Sequence, residues 1–163
     1  MKTSHTILAF DPGLRELGYA VTRGKRWVTG GVLPLQGLPR QSRLRAAAEF
    51  AGALIEQHGP DALVVERTHK HPLPWLNDLE RLTRRIHRLA IARKLPFASY
   101  APQSVRKQLL GNGWASKAEV AAALASRYHP LRVYLTQDKR WKERYWQNMF
   151  DALALALHHR SIQ

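Results

Sequence analysis

The segment Thr6-Ile-Leu-Ala-Phe-Asp-Pro-Gly13 gives the first indication of the fold. Its mostly apolar beginning predicts a buried β-strand, and the Asp-Pro-Gly that follows is typical of a tight turn. Two further strands are expected at residues 18–22 and 27–32, after turn-like gaps. Together these segments predict a three-stranded meander whose first strand ends on a carboxylate, Asp11.

The remaining sequence alternates predicted helices with short strands. Residues 62–65 form an apolar strand that leads into Glu66, and residues 96–100 form another. This order predicts an α/β fold, a mixed five-stranded sheet with helices on both faces, built as one domain from residues 1–163. Helices are predicted at residues 41–58, 78–94, 104–110, 116–128 and 146–159.

Positive charge is the clearest feature of the composition. The 163 residues include 26 Lys and Arg against 12 Asp and Glu, a formal net charge of +14. Because the basic residues are spread along the chain, a nucleic acid is favoured over a membrane surface as the partner. The absence of Cys excludes a thiolate zinc site, and the spacing of the eight His does not indicate a histidine one. No apolar run is long enough to span a bilayer, so a soluble, cytoplasmic protein is expected.

Three acidic residues stand in apolar surroundings. Asp11 and Glu66 each follow a predicted strand, and Asp151 lies within the apolar segment 149–157. The carboxyl ends of parallel strands meet at one edge of a sheet, and a buried carboxylate needs a cation or hydrogen-bond donors to compensate it. Two shared Mg²⁺ or Mn²⁺ ions would compensate all three, and such a pair suits phosphodiester hydrolysis.

Each of these acids also has a purely structural interpretation. Asp11 is a suitable residue to start a turn before Pro12-Gly13. Glu66 is equally compatible with a solvated strand end, and Asp151 with a helix N-cap if the last helix begins late. The three structural interpretations are nearly independent, and all of them would have to hold at once to account for the three acids. The shared metal site accounts for all three with one cause and is therefore favoured.

Four sets of segments follow one another along the chain: Ile7–Gly13 with Gly18–Val21, Val64–Glu66, Tyr100–Arg106 with Gly111–Lys117, and Asp151–Ala156. In this order they resemble the motifs of RuvC-type Holliday-junction resolvases. The resemblance implies a ribonuclease-H-like fold, a homodimer, two-metal cleavage and symmetric nicks across a four-way junction in DNA recombination and repair.

The resemblance also implies roles for individual residues. It assigns the three carboxylates to metal binding and Lys117 to stabilisation of the scissile phosphate or of the charge that develops in the transition state. Arg106 matches a second basic position that grips backbone phosphate, and Lys107 is expected to contact DNA beside it. Lys117 is also compatible with an ordinary solvated residue in the first turn of a helix.

The sequence departs from the family pattern at three informative places. Where the family often carries a fourth carboxylate or a histidine, this chain has Asn148, which is either a metal ligand through its amide oxygen or a plain polar helix residue. Where the family tends to place a base-stacking aromatic, the chain offers His69, Lys70 and Trp75 for DNA contact. Trp75 also suits a core or dimer contact.

A third departure is the stretch from His129 to Trp146, which is longer and more basic than the usual connection of the family. Its interleaved cations and aromatics, Lys139 and Arg140 among them, suit DNA contact. An amphipathic surface element is the alternative.

Two other functions are compatible with the same sequence. A nuclease of this fold acting on another branched DNA or on RNA would share the motifs, because fold alone does not determine the substrate. A non-catalytic junction-binding protein would result if Asn148 impaired the site. The sequence identifies no accessory partner, although branch-migration machinery is compatible with the resemblance.

Overall fold

The computed structural model describes four stretches of the chain: residues 5–68, 72–73, 77–135 and 140–163, the last without the side chains of residues 140–145. Five predicted DNA contacts therefore lie outside the described residues, namely His69, Lys70, Trp75, Lys139 and the side chain of Arg140. Within the described stretches no helix is long and apolar enough to cross a bilayer.

The predicted strands and helices are all present in the structure. The strands are β1 (Thr6–Pro12), β2 (Glu16–Arg23), β3 (Arg26–Pro34), β4 (Ala62–Glu66) and β5 (Phe97–Tyr100). The helices are α1 (Arg40–His58), α2 (Asp78–Ala92), α3 (Pro102–Leu110), α4 (Lys117–Arg127) and α5 (Arg140–Ser161), with a 3₁₀ helix at His129–Tyr134. The largest difference from prediction is the early start of α5.

The five strands form one mixed sheet in the order β3-β2-β1-β4-β5. The meander β1-β2-β3 is antiparallel, whereas β4 runs parallel to β1 and β5 runs parallel to β4. The predicted mixed five-stranded sheet is thus confirmed. Because β1 and β4 are parallel neighbours, their carboxyl ends lie at the same edge.

Helices cover both faces of this sheet, as predicted. Successive strand residues point to opposite sides, so Leu8 and Phe10 pack with α1 and α2. Ile7, Ala9 and Val64 point the other way and pack with α3, α4 and α5. The apolar middle of α5 lies almost fully buried in this second core.

Gly18 allows α5 to lie directly on the sheet. A Cβ at this position would come within 2.2 Å of the backbone carbonyl group of Asn148, a distance that no side chain tolerates. Gly18 pairs with Asp11 across β1 and β2. Helix α5 therefore crosses the sheet beside the end of β1.

Candidate active site

Two carboxylates meet at the ends of neighbouring strands. In the parallel β1–β4 pair Phe10 is opposite Val65, so the next residues are Asp11 and Glu66. By strand alternation both point to the face covered by α5, since Ala9 and Val64 do. Paired strands lie about 4.8 Å apart, which brings the two acids into one cluster. Asp11 is buried, with 6% of its surface exposed, and Glu66 is half-buried.

The third carboxylate, Asp151, comes from the interior of α5. It is 7% exposed, and its Oδ2 lies 3.0 Å from the Nζ of Lys117, the one described cation within ion-pair distance. Gln147 donates a hydrogen bond of 3.2 Å to its Oδ1. Because α5 begins at Arg140, the interpretation of Asp151 as a helix N-cap is wrong.

The three acids interact electrostatically. Burial raises the pKa of Asp11 well above its usual range, and the charges of Glu66 and Asp151 raise it further. Burial, together with the charge of Asp151, raises the pKa of Glu66 to about 7. The carboxylates therefore form one cluster of like charge that is short of compensating positive charge.

Lys117 is held at this cluster by the start of α4. Ser116 caps the helix: its hydroxyl accepts from the backbone N–H of Glu119, whose carboxylate accepts in return from the N–H of Ser116. Burial alone would lower the pKa of Lys117, but its contact with Asp151 and the charges of the other two acids raise it. A cation in the first helical turn opposes the helix dipole, so the position of Lys117 is not explained by helix stability.

The two basic residues predicted on α3 have different environments. Arg106 lines a small recess together with Glu66 and Asp151, and its charge lowers the pKa of Glu66. Lys107 lines a separate cavity beside Trp114. The structure therefore brings Arg106 to the carboxylates and places Lys107 elsewhere.

Asn148 lies one helical turn before Asp151, over the turn that follows β1. Its amide nitrogen donates to the backbone carbonyl of Glu16 at 3.4 Å, and it approaches Gly13 so closely that a Cβ there would be 3.0 Å away. Asn148 is therefore part of the site's surroundings. Its role as a metal ligand stays a prediction.

Two further residues at the site were not predicted. Gln147 contacts Asp151, and the spacing of four residues on one helix would have indicated it. Glu16 lines an open cavity of about 560 Å³ beside Lys117 and Asn148, and its charge raises the pKa of Asp11. The position of Glu16 depends on a turn in which Gly13 donates to its carbonyl at 2.9 Å, and no local sequence pattern indicates that turn's direction.

The donor set fits a divalent cation that prefers oxygen ligands. Asp11, Glu66 and Asp151 offer carboxylate oxygens alone, and the buried Oδ2 of Asp151 has no described donor other than the Lys117 ammonium. Among the described residues no three His, Asp or Glu side chains are drawn together closely enough to hold an ion. The charges of Glu66 and Asp151 raise the pKa of Asp11, and a bound cation would offset that repulsion.

The chain is similar to named relatives over most of its length. A family model described as crossover junction endodeoxyribonuclease RuvC matches residues 7–159. The protein of that name from Maricaulis maris is 35% identical, over 98% of this chain and 95% of the relative. The one from Alkalilimnicola ehrlichii is 33% identical, over 94% of this chain and 89% of the relative.

Solved structures share the fold. Thermus thermophilus RuvC superposes with a TM-score of 0.72 at 23% identity, covering 95% of this chain and 93% of that one. The same protein in complex with a Holliday junction substrate gives 0.75 at 21% identity, with 96% and 92% covered. The yeast mitochondrial Holliday junction resolvase gives 0.70 at 17% identity, with 96% and 77% covered. The predicted ribonuclease-H-like fold is confirmed, and the chain belongs to the RuvC family of crossover junction endodeoxyribonucleases.

Proposed function

We propose that this chain is a divalent-metal-dependent endonuclease that resolves four-way DNA junctions by paired phosphodiester cleavage. The observation that carries the proposal is the meeting of Asp11, Glu66 and Asp151 beside Lys117. Family membership supports the reaction class. The structure of Thermus thermophilus RuvC in complex with a Holliday junction substrate supports a four-way junction as the substrate. The net charge of +14 suits a large polyanion such as DNA.

The three carboxylates are the residues that would hold the metal, and Asn148 would add an amide oxygen. Mg²⁺ or Mn²⁺ matches this oxygen-only donor set. Bound as a pair, such ions supply a water activated for attack and stabilisation of the leaving oxygen.

Other residues of the chain position the substrate. Lys117 is half-exposed and contacts Asp151, and its ammonium would donate to a phosphate oxygen beside the carboxylates. Arg106 lies at the recess next to Glu66 and Asp151, where it would hold a neighbouring phosphate. Gln147 acts as a positioning residue, because it fixes the carboxylate of Asp151.

A homodimer follows from the proposed reaction. One chain carries one such cluster of carboxylates among its described residues, whereas paired cuts across a junction need two related active sites. Sedimentation of the purified protein measures this assembly directly. A monomer that still makes paired cuts would exclude it.

The experiment that tests the proposed function is cleavage of a synthetic four-way junction with Mg²⁺ or Mn²⁺. We expect paired nicks from the wild type and a loss of about 10²-fold or more in rate from Asp11→Asn, since several kcal/mol of metal-dependent stabilisation would be lost. Glu49→Gln is the matched control, because Glu49 is an exposed acid on α1.

Four outcomes would contradict parts of this proposal. Equal rates for the wild type and Asp11→Asn would exclude the carboxylate mechanism, as would complete inactivity of both in a folded state. Faster cleavage of an RNA–DNA hybrid than of the junction would identify a different substrate. Tight metal-independent binding without product would identify a non-catalytic junction-binding protein.

A further inference from the structure

Trp114 is the most exposed large hydrophobic residue that the structure describes, with 83% of its surface accessible. It lies in the loop between α3 and α4, three residues before Lys117. An indole left in water contributes nothing to the core, and no described side chain packs a ring against it. Tryptophan held in this way is typical of a recognition surface.

The loop holds the indole on a fixed backbone. Gly111 adopts the left-handed conformation (φ +73°) and donates to the carbonyl of Lys107 at 2.8 Å, which ends α3. The Asn112 side chain then accepts from the backbone N–H of Trp114 at 2.9 Å. Ala115 is buried directly after it. Little backbone conformational entropy therefore remains to be lost when a ligand contacts the ring.

A cavity of about 410 Å³ opens beside the ring. Trp114 forms an apolar wall of this cavity, and the other side chains that line it are polar: Gln103, Ser104, Lys107 and Asn112. An aromatic face next to amide, hydroxyl and ammonium groups matches a nucleobase, which has a flat π-surface and a hydrogen-bonding edge. Lys107 adds a positive charge for the adjoining phosphate.

The cavity lies on the other side of α3 from the carboxylates. Arg106 shares a recess with Glu66 and Asp151, whereas Lys107 belongs to the cavity with Trp114. A helix with its side chains is about 10–12 Å across. The cavity and the carboxylates are therefore about one helix width apart. At about 3.4 Å between stacked nucleotides of one strand, that width corresponds to about three nucleotides.

We propose that Trp114 and its polar cavity bind an unpaired nucleobase of the branched DNA, on the strand whose phosphate Lys117 holds. The inference rests on the proposed function, because a junction that opens at its branch point supplies such a base. Stacking on Trp114 would bind any base, and the polar side chains would contact its edge.

The test compares Trp114→Ala and Trp114→Phe with the wild type in binding a fluorescent four-way junction in EDTA, where no cleavage occurs. Trp114→Ala should weaken junction binding by about 5- to 150-fold, whereas Trp114→Phe keeps a stacking ring and stays within about 3-fold. Binding to a plain duplex should not change. Ile162→Ala, another exposed apolar residue, is the matched control and should bind as the wild type does.

Abasic substitutions locate the base. One abasic position near the cleavage point should weaken wild-type binding as much as Trp114→Ala does, and it should have no further effect in that variant. If Trp114→Ala binds the junction as tightly as the wild type and the wild type still cleaves it, the inference about Trp114 is wrong and the proposed function stands. Equal weakening for junction and duplex, with loss of the dimer, would identify Trp114 as a subunit contact and also overturn it. A wild-type protein that binds the junction no better than a plain duplex would contradict both the proposed function and this inference.

Discussion

Replacing Glu66 by Gln is expected to stabilise the metal-free protein while it abolishes cleavage. Glu66 lies at the end of β4 beside two other carboxylates, and burial with the charge of Asp151 raises its pKa from 4.5 to about 7. The folded protein therefore holds this proton more tightly than the unfolded chain does. Its stability falls as the pH rises from 4.5 to 7, and the full loss is present above pH 7.

The size of the effect follows from the same shift. Each pKa unit corresponds to about 1.36 kcal/mol, so the whole shift from 4.5 to about 7 corresponds to about 3 kcal/mol. Because Glu66 is half-buried, solvent screening reduces this value, and we expect a gain of about 1–2 kcal/mol at pH 8. At pH 5 the folded-state carboxyl is mostly protonated, so Gln should have little effect.

Urea unfolding in EDTA at pH 5 and pH 8 measures this gain. The variant Glu49→Gln makes the same chemical change at an exposed position, where it removes only an exposed pair with Arg45, and should change the stability by no more than about 0.5 kcal/mol at either pH. Added Mn²⁺ should stabilise the wild type and have less effect on Glu66→Gln. A Glu66→Gln protein no more stable than the wild type at pH 8, or equally stabilised at both pH values, would refute the reasoning.

Three further predictions follow from the site and its support. Lys117→Met should lower the single-turnover cleavage rate of a junction by about 10²- to 10³-fold, because a donor to the phosphate is lost, whereas an unchanged rate would exclude that role. Gly18→Ala places a Cβ within 2.2 Å of the Asn148 backbone and should lower the free energy of unfolding by about 1–3 kcal/mol; unchanged urea unfolding would contradict the close packing. Burial lowers the pKa of His158 and His159, so the stability that they contribute as neutral groups is present above their unfolded pKa near 6.5 and is lost as the pH falls below it. Glu66 changes the stability in the opposite direction over this pH range, so the loss is measured as the difference in thermal unfolding between the wild type and His158→Phe from pH 5.5 to 7.5, and it should be smaller in the variant.

The strand-borne half of the site could be predicted from the sequence because its signals are local. An apolar run that ends in Asp11 and another that ends in Glu66 show both the strand and the position of the acid. Parallel pairing of β1 with β4 then places both acids at one edge. Lys117 was assigned to the site only through the resemblance to a family. The sequence around it shows only an ordinary capping pattern at the start of α4.

The helix-borne half could not be predicted in the same way. Whether Arg106 or Lys107 faces the carboxylates depends on how α3 is rotated against α5, and adjacent helical residues point about 100° apart. The start of α5 also differs from the prediction, because four of its first six residues are charged and only Trp141 and Tyr145 mark an apolar side there. That missing boundary was the only basis for interpreting Asp151 as an N-cap.

Asn148 shows how local structure can account for an apparent loss from a catalytic motif. Its amide nitrogen donates to the Glu16 carbonyl, so an Asp at this position would lose the donor and place an oxygen against another oxygen. Burial and the charge of Glu16 already raise the pKa of Asp11. A fourth carboxylate at position 148 would raise it further. The amide therefore suits the turn on which it lies, and with its nitrogen engaged, the oxygen is the atom left to face a cation. An Asn at this position is consequently compatible with an active site, and its presence alone does not argue for a binding protein that has lost catalysis.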